Sequence, residues 1–168
     1  MKNILFYINL FLLVFFVNLT ASAQKITKLE VGINGLTCSQ CSRSVEMQLQ
    51  KLPFLSDIDM DLENTKANLQ ISNLGKVDLY AIPKAISDAG FSIRSLDVYF
   101  DEAPFQGKKC VTINATKFGV AEYNDQRIFR AWTPLFLPRK IFRSQKVKES
   151  SCCRSSCILL IPLNEIKS

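Results

Sequence analysis

Histidine is absent from all 168 residues, and tryptophan occurs once. Without imidazole no mixed Cys/His zinc set can be assembled, so a transition-metal site in this chain must be built from sulfur and oxygen. Long apolar runs are also scarce. The longest, Ile4 to Val17, falls short of the roughly 18 to 20 residues that a membrane-spanning helix needs. It follows Met1-Lys2-Asn3 and precedes Asn18-Leu19-Thr20-Ala21-Ser22-Ala23, whose small-x-small ending matches a signal cleavage site. Residues 1–23 are therefore expected to be a cleaved signal peptide, leaving Gln24 first and making the protein periplasmic or secreted. Contact with the membrane is expected only through that signal. No cysteine follows the run, so a lipid-anchored precursor is not indicated.

Charge divides the remaining chain in two. Residues 24–101 carry 8 Lys and Arg against 10 Asp and Glu, whereas residues 102–168 carry 12 against 5. The overall charge of +6 thus belongs to the second part and says little about the first. Six cysteines in an exported chain first suggest disulfides. Their spacing is uneven, however: Cys38 and Cys41 stand together, Cys110 stands by itself, and Cys152, Cys153 and Cys157 cluster near the end. A disulfide-stapled miniprotein would spread them.

Periodicity is clear from Lys28 to Phe100. Leu29, Val31 and Ile33 alternate with polar or small residues, the pattern of a half-buried strand. Cys41, Val45, Leu49 and Leu52 then recur at helical spacing up to Pro53. Between Ser56 and Glu63 every acid lies on one face and every apolar residue on the other; Ala67, Leu69 and Ile71 alternate after a polar turn, so a hairpin is expected. Leu79, Ile82, Ile86 and Ala89 form a second helical stripe, with Pro83 tolerable in the first turn and Gly90 as the stop. Ile93, Leu96, Val98 and Phe100 mark a last strand, with a phase change near Ser95 that reads as a bulge. The order strand, helix, strand, strand, helix, strand predicts an α+β, ferredoxin-like βαββαβ sandwich, a four-stranded antiparallel sheet with two helices on one face.

Two thiols three positions apart, Cys38 and Cys41, sit where the first strand pattern stops and the first helix pattern starts. A loop residue and a first-turn residue there can bring both sulfurs onto one soft ion. The positive end of the helix dipole favours thiolate over a thiol whose ordinary pKa is about 8.5, and thiolate is the form that binds metal.

With Gly35-Leu36-Thr37-Cys38-Ser39-Gln40-Cys41, Val45-Glu46 and Ala89-Gly90-Phe91 in these places, residues 26–100 resemble a heavy-metal-associated domain, the module of copper chaperones, metal-ATPase N-terminal repeats and periplasmic mercury-binding proteins. The resemblance implies that Cys38 and Cys41 are the metal ligands. It also implies that Leu36, standing where the family carries Met, packs inward under the loop, that Phe91 shields the sulfurs, and that Thr37 shapes the loop and offers a hydrogen bond to a sulfur. Two thiolates without His favour Cu(I) first, Hg(II) next, and Zn(II) less because it wants four ligands. Carriage without chemistry on a substrate is implied: the chain is expected to be a monomer and no enzyme, passing its ion to a metal-transport ATPase or another Cys-containing carrier by ligand exchange.

One alternative is a periplasmic thiol–disulfide oxidoreductase using the same CxxC pair. No Trp precedes Cys38 and the element order is not thioredoxin-like, which weighs against it. Another is a small module whose pair is simply oxidised. The region 102–168 has no assigned fold: Arg127-Ile128-Phe129-Arg130-Ala131-Trp132 and Arg139-Lys140-Ile141-Phe142-Arg143 interleave bases with aromatics, but export makes nucleic acid an unsuitable partner. A poorly ordered basic tail is expected, with Ile158-Leu159-Leu160-Ile161 a sticky edge if exposed. Loss of periodicity after about Gln126 also raises a shifted reading frame as the origin of the tail.

Overall fold

The computed structural model describes residues 25–72, 76–114, 116–120, 125–132 and 157–163. The expected signal peptide, Cys152, Cys153 and the run Arg139–Arg143 lie outside them. The elements are β1 (Ile26–Asn34), α1 (Ser39–Leu49), β2 (Leu55–Asp61), β3 (Lys66–Ile71), α2 (Ala81–Asp88), β4 (Ser92–Phe100), β5 (Cys110–Ile113), β6 (Thr116–Val120), β7 (Ile128–Trp132) and β8 (Ile158–Pro162). Among the described residues, no helix is long and apolar enough to cross a membrane.

The first six elements form the expected ferredoxin-like unit, in which β2, β3, β1 and β4 lie side by side and every pairing is antiparallel. The alternation read in the sequence decides which way each strand faces. Leu29, Val31, Ala67, Leu69, Leu96 and Val98 are turned into one core together with Val45 and Leu49 of α1 and Ile82 and Ile86 of α2. Both helices therefore cover the same side of the sheet. The phase change in β4 is also present: Gly32 faces Ser95 and Ile33 faces Ile93, which leaves Arg94 as the extra residue of a bulge. A Cβ on Gly32 would come within 2.5 Å of Ser95 Oγ, so glycine lets the two strands close at that point.

Beyond β4 the structure departs from a poorly ordered tail. The sheet does not end at β4 but continues through β7, β8, β6 and β5, giving eight strands in the order β2-β3-β1-β4-β7-β8-β6-β5. Apolar burial holds the two parts together. Phe100 of β4 packs edge-on against Phe118 and Phe129, with ring centroids 5.8 and 6.0 Å apart, and Phe105 against Phe129 at 5.4 Å. The Ile158–Ile161 run is no exposed edge: it lies in β8, flanked by β7 on one side and by β6, in parallel, on the other, and all five residues of β8 are buried. Strands β7 and β8 both follow Gln126, where periodicity fades in the sequence, and both pair in register.

The outer face, turned away from the helices, carries a polar network across the seam. Arg130 of β7 faces Asp97 of β4 and donates through Nε and Nη2 to its two carboxylate oxygens at 2.6 and 2.8 Å. Asp97 is only 4% exposed, so its charge is satisfied by this one guanidinium rather than by bulk water. Beside it, Lys28 Nζ donates to Glu30 at 2.9 Å, and Lys66 lies 3.6 Å from the same carboxylate. Burial pushes the Glu30 carboxyl up, but hydrogen bonds from Lys28 and Tyr99 and the two lysine charges outweigh it and leave it below its ordinary value.

Tyr99 is the partner with the larger response. Burial, then its hydrogen bond to Glu30 and the charges of Glu30 and Asp97, push its phenol up to about 12, against the opposing charge of Arg130. A raised value in the folded state means that the neutral phenol adds stability fully below the unfolded value of 10.0 and loses it as pH climbs toward 12. Absorbance titration is expected to show a late-ionising tyrosine. Tyr99→Phe should remove that late step and reduce the loss of stability across the same alkaline window.

Candidate metal-binding loop

Chain direction alone puts a loop at residues 35–38, because Asn34 ends β1 at the edge of the core and α1 must start back across the sheet. Gly35 makes the reversal at φ 80°, a conformation that an L side chain resists. Its neighbour Leu36 is completely buried beneath the loop, as expected from the resemblance. The amide of Thr37 donates to Gly35 O at 3.0 Å, so the loop is closed by backbone bonds before the first sulfur is reached.

Cys38 is the N-cap of α1. Its backbone is extended (φ −136°, ψ 156°), and its sulfur accepts from the amide of Cys41 at 3.1 Å, the part that a Ser, Thr or Asp oxygen usually plays. The hydrogen bond that the sequence led us to expect from Thr37 is therefore supplied to Cys38 Sγ by the Cys41 main chain. Ser42 N–H donates to Cys38 O at 3.0 Å and closes the first turn. No acid occupies that first turn, so the unpaired amides and helix dipole act on the sulfurs without a competing carboxylate.

The two sulfurs are joined as a disulfide, with Cα atoms 5.1 Å apart. One lies outside and one lies against the core: Cys38 is exposed, while Cys41 is half-buried against the apolar cluster. Phe91 reaches the loop from the turn before β4, its Cδ1 3.9 Å from where a Cβ on Gly35 would stand, and its amide donates to Ile86 O at 3.0 Å. It lies against the loop at Gly35. Among the described residues, no third Cys, Asp or Glu joins the pair to make a group of three. Chemically the loop offers two sulfurs on one open side, reversible oxidation to a disulfide, and room for an incoming ligand.

The family model of the heavy-metal-associated domain matches residues 30–92. A COP-associated protein of Helicobacter felis is 30% identical over 66 residues, which are 39% of this chain and 97% of that protein. The chain belongs to the heavy-metal-associated family. Copper-transporting ATPases 1 and 2 of Rhizobium meliloti also match this chain, at 34% identity over 70 residues and 33% over 72. The matches take 42% and 43% of this chain but span only 8% and 9% of those transporters. Among solved structures, a copper-binding domain from HMA7, a P-type ATPase, is 33% identical and covers 41% of this chain and 92% of its own, with a TM-score of 0.37.

Sequence reasoning located Cys38, Cys41, Leu36 and Phe91 but not the capping role of the first sulfur. A cysteine directly before a helix stripe was the available signal, masked by the better-known capping residues Thr37 and Ser39 on either side of it. Asp97 and Arg130 were missed entirely, because each reads as an ordinary outward polar residue of its own strand.

Proposed function

We propose that the protein is an exported metal carrier that holds one soft ion, Cu(I) first, between the thiolates of Cys38 and Cys41. It passes that ion to a metal-transport ATPase or another Cys-containing carrier. The observation that carries the reading is the pair itself: two sulfurs at a helix start, with no third ligand among the described residues. Such a site suits an ion content with two soft donors and leaves a side open, so that a partner thiolate can become the third ligand before one of the original two departs. Zn(II), which prefers four ligands, is served poorly, while Hg(II) is served well. Relatives named for copper transport add weight to copper. Phe91 and the buried Leu36 give the loop a firm, partly apolar wall, which limits access of water without enclosing the ion.

The working state is the dithiol, so the disulfide between Cys38 and Cys41 must be reduced by two electrons before loading. That same disulfide is the observation favouring the second reading, a thiol–disulfide oxidoreductase. One experiment separates them. The reduced chain lacking residues 1–23 is titrated with Cu(I), then mixed with the apo metal-binding domain of a copper ATPase in the presence of a chelator that reports free Cu(I). Carriage predicts tight uptake at the loop followed by transfer without a chelator signal. Failure to bind Cu(I), together with catalysed reduction of insulin disulfides, would overturn it in favour of the oxidoreductase.

A further inference from the structure

Strand β2 closes one end of the eight-stranded sheet: β3 lies on one side of it and, among the described residues, no strand lies on the other. In an antiparallel pair alternate residues aim their main-chain N–H and C=O groups away from the partner, so this flank of a seven-residue strand offers an unfilled ladder. Ser56, Asp57 and Asp59 are exposed, and an incoming segment can reach it.

The two faces of that edge differ. Ile58 and Met60 face Leu69 and Ala67 of β3, which puts them on the helix side; both are only half-buried, and Leu62 just beyond them is 39% exposed. On the opposite side Asp57, Asp59 and Asp61 face Gln70, Asn68 and Lys66. Asp61 is answered by Lys66 and by hydrogen bonds from Asn64. Asp59 accepts from the Asn68 side chain at 3.1 Å, and neither it nor Asp57 forms an ion pair among the described residues. Where the strand begins, Glu46 and Gln50 of α1 join Leu55, Ser56, Asp57 and Ile58 around a cavity of about 290 Å³, in which two carboxylates stand beside apolar side chains.

We propose that β2 is a docking edge for an extended segment of a partner protein in which Lys or Arg alternates with apolar residues. That alternation follows from the two faces: one side of an added strand meets Ile58, Met60 and Leu62, and the other meets Asp57 and Asp59. A Lys or Arg side chain also suits the cavity, with its aliphatic stem against Leu55 and Ile58 and its charged head at Glu46 and Asp57. The main-chain ladder supplies affinity, and the side chains select the partner. A second copy of β2 is a poor occupant, because antiparallel self-pairing with the apolar faces matched sets Asp against Asp. The surface includes neither Cys38 nor Cys41, so a partner held here leaves the loop open to exchange. It goes beyond the carrier reading and does not depend on it.

The probe is an end-blocked peptide as long as β2, alternating lysine with valine, titrated into the full chain while amide shifts are followed. The amides of residues 55–62 are expected to move, and a peptide with glutamate in place of lysine should move none of them. The chain carrying Asp57→Lys and Asp59→Lys should bind the lysine peptide about tenfold more weakly or worse. Both aspartates are exposed, so its remaining amides should keep their positions. The lysine peptide N-methylated at every amide keeps its charge but cannot donate to a ladder, and it should not bind. Equal binding of that peptide would reduce the edge to a charge attraction and overturn the proposal. So would still amides at residues 55–62, or their movement with protein concentration in the absence of peptide, which would assign the edge to a second copy. The titration uses no metal, so its failure leaves the carrier reading of Cys38 and Cys41 untouched.

Discussion

Replacing either Cys38 or Cys41 by serine is expected to weaken Cu(I) binding at the loop by about a hundred- to a thousand-fold. The scale follows from structural zinc, where four ligands together supply about 10 to 16 kcal/mol, so that one thiolate contributes about 3 to 4 kcal/mol and each tenfold in affinity is about 1.4 kcal/mol. The fold should survive. A serine at position 38 keeps an N-cap acceptor for the Cys41 amide, now as oxygen rather than sulfur, and Cys38 is exposed, so no core contact is removed. Under reducing conditions, where the parent too lacks the Cys38–Cys41 bridge, the stability of Cys38→Ser is therefore expected to stay within about 0.5 kcal/mol of the parent. Two readouts are needed, because the loop is not the sole source of sulfur. Competition with a Cu(I) chelator at substoichiometric metal gives the affinity, and amide shifts of residues 35–42 and Phe91 show where the ion sits. Unchanged affinity in both variants, with those amides unmoved by metal in the parent, would remove the loop from consideration.

The second large effect belongs to the seam between β4 and β7. Arg130→Ala is expected to destabilise the chain by about 3 kcal/mol or more, because it leaves the Asp97 carboxylate buried without its guanidinium. Asp97→Val combined with Arg130→Met should recover most of that loss, since removing both charges spares the uncompensated one. A urea-unfolding cycle over the parent, Asp97→Val, Arg130→Met and the double variant then gives the coupling energy of the pair. A loss below about 1 kcal/mol for Arg130→Ala would place the pair among solvent-screened surface bridges. The guanidinium itself is held above its ordinary value by the hydrogen bonds it donates to Asp97, more than burial lowers it.

How legible the molecule is depends on strand length and on who the neighbours are. Leu29, Val31 and Ile33 declare β1 because three successive inward positions are apolar and the outward ones are not. Val45 and Leu49 declare α1 in the same way, and the acids of β2 declare an outward face by their regularity. Strands β5, β6 and β7 have four or five residues each, too few for alternation to rise above chance. In β8 the pattern is lost for the opposite reason: Ile158-Leu159-Leu160-Ile161 is covered on both faces, so nothing alternates, and a run of that kind looks the same as an exposed sticky segment until its neighbours are known. The loop was easier to find than the seam because it is local. Gly35, Cys38 and Cys41 lie within seven residues, whereas Asp97 and Arg130 are separated by 33 and meet only because β7 returns to the edge of β4.

That return has a practical side. A fragment stopping at residue 101 would look like a self-sufficient copy of the metal-carrying unit, yet it would strip β7 from β4 and uncover the part of β4 from Asp97 to Phe100 that had been paired with residues 127–130. Phe100 would lose both aromatic neighbours at the same moment. Such an edge invites another copy to take the vacant place. A shortened version intended for spectroscopy would thus be prone to self-association through β4, and dimers in that preparation would report on the cut rather than on the carrier.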